Sequence, residues 1–94
     1  MSEIEVIHNI KKQVFSVTLN KQVCELKYHR EGNLLDMYHT FVPDSLRGKG
    51  IAGKIAAAAL DYAQKNNFKV KPSCPYVKKF MDLHPEFQNL MHKP

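Results

Sequence analysis

Residues 42–52 read Val-Pro-Asp-Ser-Leu-Arg-Gly-Lys-Gly-Ile-Ala and carry the chain from an apolar strand into an alanine-rich helix. The first backbone N–H groups of such a helix have no intrahelical partner, and the helix dipole adds partial positive charge there. Gly48 and Gly50 put no Cβ in front of those amides. A phosphate or diphosphate can therefore sit directly on them. A chain with this turn must fold so that one strand end and one helix start lie together, with the turn open to an anion.

The forty residues before the turn read as strands. Gln13 to Leu19 alternates apolar and polar side chains, and Val23 to Tyr28 alternates again. Turns fall at Asn20-Lys21-Gln22 and at Glu31-Gly32-Asn33, where Gly32 is free to adopt positive φ. Leu34 to Val42 forms a longer strand that Pro43 stops, and Val6 to His8 adds a short edge strand.

After the turn the period changes. Ile51, Ile55, Ala59 and Ala63 share a helix face with Ala52, Ala56 and Leu60, while Lys54, Asp61 and Lys65 lie outside it. Asn66-Asn67 ends the helix, Phe68 to Lys71 is a short strand, and Pro75 opens a second helix over Tyr76 to Leu83. Glu86 to Met91 adds a last helical turn, and Phe80, Leu83, Phe87 and Leu90 read as core. The expected fold is α+β: a mostly antiparallel sheet with a β-α-β crossover and a short C-terminal helix, forming one domain over residues 1–94.

Charge is unevenly placed. Residues 1–46 hold five Lys/Arg against six Asp/Glu, whereas residues 47–94 hold nine against three. The excess positive charge thus lies in the half that contains the glycine turn, which favours an anionic partner. Cys24 and Cys74 stand far apart with no Cys-x-x-Cys pattern, and the five histidines show no ligand spacing, so neither a disulfide framework nor a metal site is expected. No run reaches the roughly 18 apolar residues of a membrane helix. Met1 to Glu5 is acidic, unlike a secretory leader, and the expected compartment is the cytoplasm.

Gly48-x-Gly50-x-x-Gly53 matches the dinucleotide fingerprint in form only. That fingerprint follows its strand directly and needs an acidic residue about 20 positions on. Here Pro43 to Leu46 intervene, and the next strand carries Lys69 and Lys71. A Walker loop fails as well, because no Gly-Lys-Ser/Thr follows.

Arg47-x-x-Gly50-x-Ala52, between a strand and a helix, resembles the Arg/Gln-x-x-Gly-x-Gly/Ala signature of the GNAT N-acetyltransferases. His39-Thr40-Phe41-Val42-Pro43, Pro72-Ser73-Cys74-Pro75-Tyr76-Val77 and His84-Pro85-Glu86-Phe87 strengthen the likeness to the minimal single-domain GNAT-like subgroup. The resemblance implies an acetyl-CoA-dependent N-acyltransferase that moves an acetyl group to an amine. It implies that Phe41, Val42, Arg47, Gly48, Lys49, Gly50, Ile51, Ala52 and Gly53, with Ser73, contact coenzyme A. The long strand ending at Val42 would splay from the strand at 69–71 to leave a cleft for the pantetheine arm. Larger members of the family place two helices between their first strands, where this chain has only Asn9 to Lys12.

Cys74 and Tyr76 are the catalytic candidates. Cys74 precedes a helix that begins with Pro75, and Lys78 and Lys79 follow, a setting of positive potential in which thiols are nucleophilic. The resemblance places this cysteine near the thioester, with a role in acyl transfer. The simpler reading is a small buried hydrophobe. Tyr76 would give a proton to the departing thiolate, or would pack as an aromatic on its helix. His39 and His84 are further candidate bases, each also explained as structural. Two other functional classes stay open on these residues: an acyl-CoA-binding or sensing module without turnover, and a small nucleic-acid binder using the basic half. The last lacks the aromatic platform or reader helix of such modules.

Overall fold

The computed structural model describes residues 4–92; the start at residues 1–3 lies outside them. Five strands form one sheet in the order β1-β2-β3-β4-β5: β1 (Ile7–Asn9), β2 (Val14–Leu19), β3 (Gln22–Glu31), β4 (Leu34–Phe41) and β5 (Lys69–Lys71). Strands β1 to β4 are antiparallel neighbours, and β5 runs parallel to β4. Helix α1 (Ile51–Lys65) links β4 to β5, and α2 (Pro75–Leu83) follows β5. Short 3₁₀ turns occupy Asp44–Leu46 and Pro85–Leu90. The α+β fold with a mostly antiparallel sheet and a β-α-β crossover is therefore the one expected.

Local chemistry sets the hairpins. Asn20 and Lys21 both have positive φ (52° and 63°), the twist that a two-residue hairpin turn needs, so Gln22 already belongs to β3 opposite Leu19. The β3–β4 turn is Gly32-Asn33, with Gly32 at φ 59° and Arg30 Nε donating to its carbonyl at 2.9 Å. Only the turn at residues 10–13 joins β1 to β2. At the opposite margin His92 N–H donates to Val70 O at 2.8 Å, so the C-terminal segment covers the free edge of β5.

Alternation gives the sheet one core face, made of Phe15, Val17, Cys24, Leu26, Tyr28, Leu35, Met37 and Val70. Helix α1 lays Ile55, Ala56, Ala59, Leu60 and Ala63 on that face, as its period foretells. The alanines let the helix axis come close to the sheet. Ala52, expected with them, is only half-buried. Helix α2 buries Val77 and Met81, one turn apart. Leu83, expected in the core, is 67% exposed because it stands about 200° around the helix from Met81. Among the described residues no helix is long and apolar enough to cross a membrane.

One irregularity decides which side chains reach the helix side of β4. The register pairs Tyr28 with Met37 but Lys27 with His39, so Tyr38 is an extra residue, a β-bulge. Beyond it the alternation is shifted by one. Thr40 stands opposite the buried Leu26 on the core face, while His39 and Phe41 stand opposite Lys27 and Glu25 on the outer face.

The edge strand β1 is held by an aromatic cluster. The His8 ring stacks on Phe15 with centroids 3.8 Å apart and meets the edge of Tyr62 at 4.4 Å. Its Nε2 shares a hydrogen bond with the Tyr28 hydroxyl at 2.7 Å. Burial holds His8 below its ordinary value of 6.5, and burial pushes the Tyr28 hydroxyl up, so the neutral pair is favoured. In the unfolded chain His8 takes up its proton at the ordinary value, in the folded chain only at lower pH. Its contribution to stability is therefore complete above pH 6.5 and is lost as pH falls through the interval below that value. Urea denaturation at several pH values should show this acid-side loss in the wild type and a smaller one in His8→Phe.

Candidate functional site

Pro43 lacks an N–H and ends β4. The 3₁₀ turn that follows buries Leu46 (1% exposed), with Leu46 N–H on Pro43 O at 2.9 Å and Arg47 N–H on Asp44 O at 3.2 Å. The Ser45 hydroxyl ties this turn to Gln22 Oε1 at 2.6 Å. Gly48 and Gly50 then adopt φ 80° and 76°. A Cβ at either would meet nothing within 4 Å, so it is the left-handed backbone that calls for glycine there. Gly50 is the N-cap of α1, no side chain caps the helix, and the first turn holds no acid. The earliest helical hydrogen bond runs from Lys54 N–H to Gly50 O at 3.2 Å, which leaves the amides of Ile51, Ala52 and Gly53 without an intrahelical acceptor.

A cavity of ≈ 230 Å³ opens over this turn, walled by Val42, Leu46, Arg47, Gly48, Gly50, Ile51, Ala52, Gly53 and Tyr76. The structure thus joins seven of the expected cofactor residues to one of the two catalytic candidates. Arg47 reaches back along the rim, with Nε donating to Val42 O at 3.1 Å and Nη1 3.1 Å from Asp44 Oδ1. Both partners of that pair are largely exposed, so it costs little to exchange it for another anion. A larger depression of ≈ 410 Å³ lies at Lys69, Gln88, Asn89, Met91 and His92 and shares no residue with the turn. It brings together neither glycines nor a catalytic candidate, so the smaller cavity is the candidate site.

The remaining expected residues fall elsewhere. Lys49 is exposed in the turn and does not line the cavity. Ser73 is exposed, and its N–H bonds Lys71 O at 3.0 Å. Phe41, 47% exposed, lies on the outer face opposite Glu25, because the bulge has shifted the alternation. His39 shares that outer face. His84 Nδ1–H donates to Phe80 O at 2.7 Å and the ring stacks on Phe80, an arrangement that finishes α2.

Cys74 is buried at 6% exposure as the N-cap of α2. Its N–H donates to Met37 O at 2.9 Å, just beyond the last paired positions of β4 and β5, Asp36 and Lys71. The ladder ends there because β5 has only three residues, while β4 continues to Phe41. The Cys74 sulfur lies 3.4 Å from Thr40 Oγ1. Two positions on, the Tyr76 hydroxyl reaches the start of α1, where a Cβ on Gly53 would lie 3.6 Å from it. Burial, and secondarily Cys74, push this hydroxyl above its ordinary value, so it keeps its proton at neutral pH. Lys78, expected to serve the thiol, gives its ammonium to both oxygens of Asp82 at 3.0 Å. Cys24 is fully buried in β3, as expected of a structural cysteine, and burial pushes its thiol up.

Two residues of this region escape a reading of the sequence. Leu46 is the apolar residue that seats the 3₁₀ turn, and its position after Pro43 is the signal that could have found it. Thr40 reaches Cys74 only because of the bulge, and simple alternation from Leu35 and Met37 would send it outward.

A family model described as GCN5-related N-acetyl-transferase matches residues 14–90. Protein NATD1 of Gallus gallus is 38% identical over 92 residues, covering 95% of this chain and 84% of that protein. Protein NATD1 of Homo sapiens is 36% identical over 85 residues, covering 87% and 75%. The solution structure of a GCN5-like protein from Staphylococcus aureus superposes with a TM-score of 0.77 at 26% identity, covering 100% of this chain and 93% of that one.

The glycines of the turn should differ in what they tolerate. Gly50→Ala forces a side chain into φ 76° and should destabilise by about 1–2 kcal/mol. Gly53 is helical, and an added Cβ would make ordinary contacts at 3.6 and 3.7 Å with Tyr76 and Phe80. Gly53→Ala should therefore be neutral or stabilising by up to about 1 kcal/mol in urea denaturation.

Proposed function

The chain belongs to the GCN5-related N-acetyltransferase family, and from that premise we propose that it binds acetyl-coenzyme A at the glycine turn and moves the acetyl group to an amine. The observation that carries this reading is the start of α1: an uncapped helix end without acids, opened by two left-handed glycines onto a cavity that ends at Tyr76.

The fit to a diphosphate is chemical. The free amides of Ile51, Ala52 and Gly53 offer three donors at the positive end of the helix dipole. Arg47 at the rim, and Lys49 beside it in the turn, supply countercharge. Between Val42 and Tyr76 the cavity is walled mostly by apolar groups, which suits the rest of the ligand. When bound, acetyl-coenzyme A supplies an activated acetyl thioester. The pantetheine arm would then run from the cavity at Val42 and Tyr76 toward Cys74.

Cys74 and Tyr76 then divide the chemistry. The Cys74 thiol would first give its proton to solvent, and its sulfur would then form a bond to the acetyl carbon as the bond from that carbon to the coenzyme sulfur breaks. The Tyr76 hydroxyl, which keeps its proton at neutral pH, gives that proton to the leaving sulfur and recovers it from solvent. A neutral amine attacks the acetyl group on Cys74, which frees the thiol. The residues are also compatible with direct attack by the amine, in which Cys74 does not become acylated.

Two measurements test the proposal. Coenzyme A added to ¹⁵N-labelled protein should shift the amide signals of residues 47–53, and Arg47→Ala should weaken binding roughly five- to tenfold, less so at high salt. Unmoved signals at millimolar excess of ligand would remove the proposal. Intact mass after incubation with acetyl-coenzyme A should show one added acetyl group on the wild type and none on Cys74→Ala. Binding without label, but with release of free coenzyme A when an amine panel is added, assigns direct transfer. Binding with neither assigns a sensing module.

A further inference from the structure

Outside the cofactor turn, the feature that the mechanism leaves unused is the polar contact on the core side of the bulged strand. Thr40 has a hydroxyl on the face of β4 that otherwise carries Leu35 and Met37. It is there because the extra residue at Tyr38 shifts the alternation and pairs Thr40 with Leu26. Its Oγ1 lies 3.4 Å from Cys74 Sγ.

We propose that Thr40 is the positioning residue for the Cys74 thiol: its hydroxyl donates a hydrogen bond to the sulfur and favours the charged, nucleophilic form. The proposal rests on the reading of Cys74 as the group that accepts the acetyl. It names the residue which prepares that sulfur for the task.

Four observations support it. The backbone of Cys74 is fixed by its N–H on Met37 O at 2.9 Å, so the sulfur has a defined place beside β4. The side chain of Cys74 does not cap α2, and among the described residues Thr40 is the hydrogen-bond partner of the sulfur. Lys78, the lysine one turn further along α2, is committed to Asp82. Threonine is β-branched and stiff at χ1, so in a strand its hydroxyl is held ready before any ligand arrives. A protonated thiol can donate to Thr40 or accept from it, but a thiolate has no hydrogen to give. Ionisation therefore makes Thr40 the donor, and hydrogen bonds to charged acceptors are the stronger kind.

Cys24 is a built-in control. It is fully buried, burial disfavours its charged form, and it should stay inert.

The test needs neither cofactor nor acceptor. Iodoacetamide is added to the intact folded protein from about pH 6 to about pH 9, and peptide mass separates Cys74 from Cys24. Wild-type Cys74 should be alkylated. In Thr40→Val, which keeps the shape of the side chain, the pH of half-maximal rate should move up and the rate at neutral pH should fall about tenfold. Thr40→Ser restores the hydroxyl and should return the rate to within about twofold of wild type. An unchanged half-maximal pH in Thr40→Val overturns the proposal, even if its plateau rate differs, because packing alone then explains the contact. A serine variant that behaves like the valine variant overturns it too, as does a wild-type Cys74 that does not react. Titration of the wild type with coenzyme A is read separately. If that ligand does not bind, the acyltransferase reading fails while the alkylation series still decides the role of Thr40.

Discussion

Ile51 is the first residue of α1 and is 1% exposed, so the helix begins inside the core instead of fraying into solvent. Ile55, one turn later, is also buried. Between them these side chains fix the position of the three free amides at the helix start. A helix end in a mobile loop would offer the same donors with no defined place. Here the donors are preorganised because moving them would expose two isoleucines, at a cost of roughly 1.5–3 kcal/mol for each.

The second half of the site depends on how β4 and β5 part. Their ladder ends at Asp36 and Lys71, and the last tie is the Cys74 N–H on Met37 O. The chain then turns into α2 with its thiol against β4 and its tyrosine hydroxyl over Gly53 of α1. The shortness of β5 and the Pro75 that follows produce this together, since a longer strand would carry Cys74 away from Thr40. The bulge at Tyr38 completes the arrangement by bringing a hydroxyl to a face that is otherwise apolar.

Electrostatics contribute little to the stability of this molecule. Arg47 and Asp44 form an exposed pair, and Lys78–Asp82 and Lys65–Asp61 are helix-surface pairs of the i,i+4 kind, each worth little to the fold. The fold rests on the apolar face shared by the sheet and α1 and on the His8 cluster that closes the β1 edge. The fold therefore does not depend on the cations of the glycine turn.

Much of this was legible in the residues. Period-two alternation placed β2 and β3, the Asn20-Lys21 and Gly32 turns placed the hairpins, and the spacing of Ile51, Ile55, Ala59 and Ala63 gave the buried face of α1. The order of Pro43, Arg47, Gly48 and Gly50 foretold an open helix start, because those properties are local to the backbone. What escaped were properties decided between elements. The outward turn of Phe41 and the inward turn of Thr40 follow from a bulge that exists only in the pairing of β3 with β4. Leu83 is exposed because the short α2 meets its neighbours with the Val77–Met81 side, and Lys78 prefers Asp82 to the thiol because the two share a helix surface. The sequence by itself determined the elements and the glycine turn, for these depend on near neighbours along the chain. Only the tertiary structure decided which side chains stand around the sulfur, because strand register and helix rotation are set by contacts between residues far apart in the chain.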